Sequence, residues 1–201
     1  MKRIVIFASG NGTNAQRIIE YFQDRTDAQV VQVLSNNPRA KVLERANDHS
    51  IPALSFNRPA FYGTSTVLDF LKSTKPDVIV LAGFLWLFPE NIITFFTNKV
   101  INIHPALLPD FGGKGMYGMN VHNAVHAFAK MQASETPPQK TYTGITIHKV
   151  TPEYDKGDFL FQARTEVTEN DTPDTIAAKV QELEYEHFPK VIEKYLGLSG
   201  I

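Results

Sequence analysis

Residues 3–14 read Arg3-Ile4-Val5-Ile6-Phe7-Ala8-Ser9-Gly10-Asn11-Gly12-Thr13-Asn14, and the fold follows from this stretch. The apolar run from Ile4 to Phe7 predicts a strand over residues 3–8 buried on both faces, stopped by a Ser-Gly-Asn-Gly turn. From Asn14 the period changes: Ala15, Ile18, Ile19 and Phe22 share one helical stripe. The alternation continues downstream. Val30, Val31, Val33 and Leu34 predict a second strand that ends at Ser35-Asn36-Asn37-Pro38. Helix is expected over 40–48, 66–72 and 89–96, and strand over 53–56, 77–82 and 100–104. Strands apolar on both sides, alternating with helices, indicate a parallel sheet with helices on both faces. Residues 1–110 are therefore expected to form a Rossmann-like, phosphate-binding α/β half.

Beyond residue 110 the pattern shifts. A glycine-rich loop over 110–118 leads to a helix over 120–130 and a polar crossing over 132–140. In residues 142–150, Ile145 and Ile147 point one way and Thr146 and His148 the other, which predicts a half-buried strand. Residues 159–167 are its expected antiparallel partner, across the loop Thr151-Pro152-Glu153-Tyr154-Asp155-Lys156-Gly157-Asp158. Thr172 followed by Pro173 marks a helix start, and Ile176, Ala177, Val180 and Leu183 carry its stripe to Pro189 or on to Tyr195. The expectation is one domain over 1–201, a mostly parallel sheet with a C-terminal antiparallel strand extension.

Composition narrows the function classes. The chain has 201 residues, 43% hydrophobic and 20% charged, with 20 basic against 21 acidic side chains and a formal charge of −1. That balance argues against a broad electrostatic grip on nucleic acid. With no cysteine, disulfides, thiolate catalysis and Cys-ligated zinc are excluded. The first apolar run is too short for a signal peptide, and no stretch approaches the ~18 apolar residues of a membrane span. A cytoplasmic protein without a membrane partner is expected.

Three places can carry chemistry. Glycines at 10 and 12 permit a tight turn, and the helix that follows directs unpaired N–H groups at an anion, so Gly12, Thr13 and Asn14 form a candidate phosphate loop. With Ala15 the loop also satisfies G-x-G-x-x-A, yet the acidic residue that would hold a dinucleotide's ribose is replaced by Ser35-Asn36-Asn37, which leaves only an NADP reading through Arg39. The second place is Ile101-Asn102-Ile103-His104-Pro105. Residues two apart in a strand share a side, so Asn102 and His104 project together at the carboxyl edge, where open α/β sheets bind ligands. A neutral amide and a titratable imidazole suit an oxyanion site, or simply cap the sheet. The third is Asp155, either a solvated turn residue or, if its loop folds toward His104, a carboxylate that raises the histidine's pKa. His122 and His126 have helical metal-pair spacing without a third ligand, so no metal is expected. The run Phe84 to Phe88 is core, or the lining of a pocket for a flat heterocycle.

The phosphate loop, Asn102-Ile-His-Pro-Ala-Leu-Leu-Pro109 and the downstream strand, loop and Asp155, in that order, resemble the folate-dependent phosphoribosylglycinamide formyltransferases over nearly the whole chain. The Asn, His, Asp trio is shared with wider formyltransferases and with formyltetrahydrofolate hydrolases; the length leaves room for neither the extra domain of the tRNA enzymes nor that of the hydrolases. The resemblance implies two substrates, glycinamide ribonucleotide and 10-formyltetrahydrofolate, in purine synthesis. It implies that Gly12, Thr13 and Asn14 hold the 5′-phosphate and that Glu184 contacts the ribose. It further implies that Leu85, Trp86, Leu87 and Phe88 line the folate's pterin pocket, that Asn102 also faces the formyl donor, and that Arg58 lies near the folate tail. Trp86 stands where some members have arginine, and Gly113-Lys114-Gly115 lengthens the loop after Pro109. Asn102, His104 and Asp155 are the implied catalytic set, with His104 protonated by virtue of Asp155, in a monomer or homodimer. Hydrolysis of formyltetrahydrofolate and a non-catalytic nucleotide-phosphate module are the alternatives.

Overall fold

A computed structural model describes residues 1–137 and 139–198; Pro138, within the polar crossing, and residues 199–201 of the expected domain lie outside the described residues. In chain order the elements are β1 (Lys2–Phe7), α1 (Thr13–Phe22), β2 (Ala28–Ser35), α2 (Lys41–Asp48), β3 (Ala53–Ser55), α3 (Thr66–Thr74), β4 (Val78–Leu81), α4 (Glu90–Phe95), β5 (Val100–His104), α5 (Met119–Ala133), β6 (Thr141–Lys149), β7 (Phe159–Val167) and α6 (Pro173–Tyr195). One π-helical turn, Pro59–Gly63, had no periodic signal in the sequence. The strands make one seven-stranded sheet in the order β3-β2-β1-β4-β5-β6-β7. Pairings from β3 through β5 are parallel, and β6 and β7 run antiparallel. The order reverses between β1 and β4, so the ligand crevice of such a sheet falls beyond the carboxyl ends of these strands.

Strand pleating sorts the apolar residues onto two faces. Ile4, Ile6 and Ala8 join Val78, Val80, Ile101, Ile103, Ile145 and Ile147 under α1, α2, α5 and α6. Val5, Phe7, Ile79, Leu81 and Val100 face the other way, under the π-helical turn, α3 and α4. Asn102 and His104 alternate with Ile101 and Ile103, as the strand period requires.

Helix ends follow local chemistry. Thr172 caps α6 by accepting from the Thr175 backbone N–H at 3.3 Å, while Thr175 Oγ1 accepts from the Thr172 N–H at 2.9 Å. The helix runs through Pro189 to Tyr195. At the start of α1, by contrast, Gly12 (φ +76°) supplies no side-chain cap, and the first-turn N–H groups stay open.

The expectation of a half-buried β6 needs correction. Thr146 and His148, on its polar side, are as enclosed as Ile145 and Ile147. The chain after β5 and the loop after β6 fold over that side. Thr146 Oγ1 donates to the Ala106 carbonyl at 2.8 Å and accepts from the Leu108 N–H at 2.9 Å. Gln162 on β7 adds its Nε2, 2.8 Å from the same hydroxyl and 3.0 Å from the Leu108 carbonyl. Polar residues on this strand face are thus satisfied by other chain rather than by solvent.

Candidate active site

Register brings the catalytic candidates together. β5 and β6 pair so that Asn102 lies opposite His148 and His104 opposite Thr146. The loop after β6 is pinned at Gly157, where a Cβ would approach the Lys149 carbonyl oxygen to 1.7 Å. It returns Asp155, in a left-handed conformation (φ +54°), over the sheet end. There Asp155 Oδ2 lies 3.7 Å from His104 Nδ1 and Oδ1 lies 3.5 Å from His148 Nε2. The Gly113 N–H donates to Asp155 Oδ2 at 2.8 Å. Asn102 Nδ2 donates to His148 Nε2 at 3.2 Å, and His148 Nδ1 donates to the Lys149 carbonyl at 2.8 Å. One amide N–H of Asn102 is thereby committed, and its orientation is fixed.

Burial would raise the Asp155 carboxyl, but the nearby His148 imidazole, the Gly113 N–H and the His104 imidazole outweigh it and hold the group below the usual carboxylate range. His104 moves the other way from the expectation. Burial pushes its pKa down and wins against the Asp155 carboxylate and the Phe111 carbonyl, which both raise it. Its Nε2 donates to the Phe111 carbonyl at 2.8 Å, while Asp155 stands beyond hydrogen-bond range. Asp155 does not raise the His104 pKa above its ordinary value in this conformation.

These residues floor a cavity of about 530 Å³. Asn14 and Glu184 line it too, as do Leu85, Trp86, Leu87 and Phe88. Asn14 Nδ2 donates to Glu184 Oε2 at 2.8 Å, and the amide oxygen of Asn14 has no partner. Burial pushes the Glu184 carboxyl up to about 7, with the Asn14 N–H pulling it back. Gly12 and Thr13 sit beside Asn14 at the open start of α1. The walls are laced together: the Ser9 N–H donates to the Gly83 carbonyl at 3.0 Å, and the Leu85 N–H to Ser9 Oγ at 2.9 Å.

Phe88 is mostly core; its ring meets Phe7 and Phe61 edge-on with centroids 5.1 and 5.6 Å away. Arg58 does not line the main cavity. It borders an adjoining hollow with Tyr62, Leu85, Trp86, Leu87 and Tyr154, its guanidinium 5.0 Å above the Trp86 ring and 5.6 Å from that of Tyr62. Sequence reasoning missed His148, legible only from the register opposite Asn102, and the backbone groups of Phe111 and Gly113, which carry no side-chain signal. His122 lines the cavity with an enclosed, unpartnered Nδ1. Among the described residues no group of three or more metal-ligating side chains forms around it or elsewhere.

One cavity thus gathers an amide, an imidazole, a buried carboxylate and the first residues of a helix without a side-chain cap. The chain belongs to the formyl transferase family, whose model matches residues 2–192. Among individual relatives, phosphoribosylglycinamide formyltransferase of Bacillus subtilis is 33% identical, with 100% of this chain and 97% of that protein covered. The chloroplastic enzyme of that name from Arabidopsis thaliana is 35% identical over 95% of this chain, which spans only 64% of the plant protein. The crystal structure of the Brucella melitensis phosphoribosylglycinamide formyltransferase superposes with a TM-score of 0.82 at 31% identity, covering 100% of this chain and 98% of that one.

Proposed function

We propose that this protein transfers the formyl group of 10-formyltetrahydrofolate to the amine of 5-phosphoribosylglycinamide, giving formylglycinamide ribonucleotide and tetrahydrofolate for purine synthesis. The observation that carries this reading is one cavity lined by Asn102, His104 and Asp155 and also by Asn14 and Glu184. The open N–H groups of Gly12, Thr13 and Asn14 receive the 5′-phosphate, and Glu184 accepts from the ribose hydroxyls. Leu85, Trp86, Leu87 and Phe88 hold the pterin, with Arg58 beside the folate tail.

The substrate nitrogen attacks the formyl carbon, and negative charge builds on the formyl oxygen. Asn102 meets that oxygen with its uncommitted amide N–H. His104 adds a second donor by exchanging the Phe111 carbonyl for the substrate oxygen. The growing anion also draws the ring toward imidazolium, offsetting the burial that otherwise keeps it neutral. Asp155, held ionised, receives the proton from the attacking nitrogen through water and passes it to the departing folate nitrogen as the old carbon–nitrogen bond breaks.

The test is formyl transfer measured on wild type and on Asp155→Asn, with formate release followed in the same tubes. Formate released without ribonucleotide would make the protein a hydrolase instead. Ligand-induced thermal stabilisation without turnover would make it a binding module.

A further inference from the structure

Arg45 stands on the second helix, outside the cavity, yet its guanidinium is spent on the phosphate loop. Its Nε donates to the Asn11 backbone carbonyl at 2.8 Å, and Nη2 to Asn11 Oδ1 at 2.9 Å. Nη1 bonds Gln16 Oε1, one turn into α1. A single planar fork therefore grips the residue just before Gly12 from main chain and side chain together, and ties it to the helix whose first turn faces the anion. The same helix supports the loop twice more. The Val42 N–H donates to the Gly10 carbonyl at 3.1 Å, and Val42 fills the space beside Gly12, where a Cβ would come within 2.3 Å of its methyl carbon. The start of α1 has no side-chain cap of its own to hold it.

The charge on this fork is not cancelled. Arg17, on α1, is paired with Glu20 at 3.2 Å, whereas no carboxylate among the described residues lies within ion-pair distance of Arg45. A guanidinium that donates only to neutral oxygens keeps its full positive charge beside the loop. Three of its five N–H groups are accounted for by these contacts.

We infer that Arg45 is the positioning residue of the phosphate loop: it presets the Asn11–Gly12 backbone for the nucleotide's 5′-phosphate and supplies the uncompensated charge that favours a dianion there. This rests on the reading of that loop as the phosphate site of a formyltransferase. The residue does not touch the reacting atoms, so its loss should register in nucleotide binding and leave the chemical step alone.

The experiment is steady-state kinetics on Arg45→Met and Arg45→Lys, with thermal stabilisation by ribose 5-phosphate as a second readout. In Arg45→Met the KM for the ribonucleotide should rise about tenfold or more, kcat should stay within about threefold, and the KM for the folate should not move. Stabilisation by ribose 5-phosphate should shrink in parallel. Arg45→Lys keeps the charge but cannot form the fork, so less than half of the loss on a logarithmic scale should return. A ribonucleotide KM within twofold of wild type in Arg45→Met, or an equal rise in both KM values, overturns the inference. If Arg45→Met does not fold, Asn11→Ala, which removes the side-chain acceptor without adding backbone freedom, must raise the ribonucleotide KM alone, and failure to do so counts the same way. Wild type that neither turns over the ribonucleotide nor is stabilised by ribose 5-phosphate refutes the underlying reading of the site instead.

Discussion

Two carboxylates look into one cavity, and their surroundings drive them in opposite directions. Asp155 has a backbone N–H and two imidazoles around it and stays ionised despite burial. Glu184 has one Asn14 N–H, and burial carries it to about 7. At the catalytic end the protein supplies the partners itself, so the geometry is set before substrate arrives. Around Glu184 the protein supplies one donor, and under the proposed function the second comes from a substrate hydroxyl. Under that function preorganisation is concentrated where charge develops during reaction, and adaptability where a ligand only has to be held.

The largest effect should come from the preset end. Asn102→Ala removes the fixed donor and should lower kcat by about 10²–10³, on the order of 3–4 kcal/mol, with the melting temperature little changed. Half of wild-type turnover remaining would mean that this end is not preset at all.

Glu184→Gln sharpens the contrast. The ribonucleotide KM should rise about 10–100-fold through loss of a charged acceptor, with kcat within a few-fold. Because the folded pKa of Glu184 lies above its ordinary 4.5, its contribution to stability is complete below that value and is lost as pH rises through about 7. The melting temperature of wild type should therefore fall relative to Glu184→Gln between pH 6 and pH 8. Over the same interval the wild-type ribonucleotide KM should improve as the carboxylate forms. A wild-type KM that does not change with pH would remove the distinction between the two carboxylates.

Gly12→Ala tests the loop that serves the adaptable end. With φ at +76° and Val42 in the way, the substitution should cost about 1–3 kcal/mol of stability in a denaturant melt and weaken ribonucleotide binding. The smallest effect belongs to Trp86→Ala. Loss of the stacked Arg58 should raise the folate KM only a few-fold, about 0.5–1 kcal/mol, and leave the ribonucleotide KM alone.

The parallel half was legible because its strands are apolar on both faces and its turns are marked by glycine and proline, signals that depend on nearest neighbours along the chain. Asn102 and His104 were legible for the same reason, since strand period alone places them on one side. Asp155 could be nominated from sequence, but its approach to His104 depends on how a loop returns, which no local pattern encodes. His148 read as the outward face of a half-buried strand because hydrophobic alternation cannot distinguish solvent from a polar cavity. The His104 pKa moves opposite to the expectation because a neighbouring carboxylate is visible in the motif, whereas the extent of desolvation depends on packing. Arg45 was invisible as well: its partners are a backbone carbonyl and two amides 34 and 29 residues away.

The knot at Thr146 has a further consequence for how this molecule can be divided. One hydroxyl binds the segment leaving β5 to the β6–β7 hairpin, and the loop bearing Asp155 starts and finishes on that same hairpin. Grafting residues 1–104 onto a foreign scaffold would carry Asn102 and His104 along but leave behind Asp155 and His148, which face them, and Glu184, which meets Asn14.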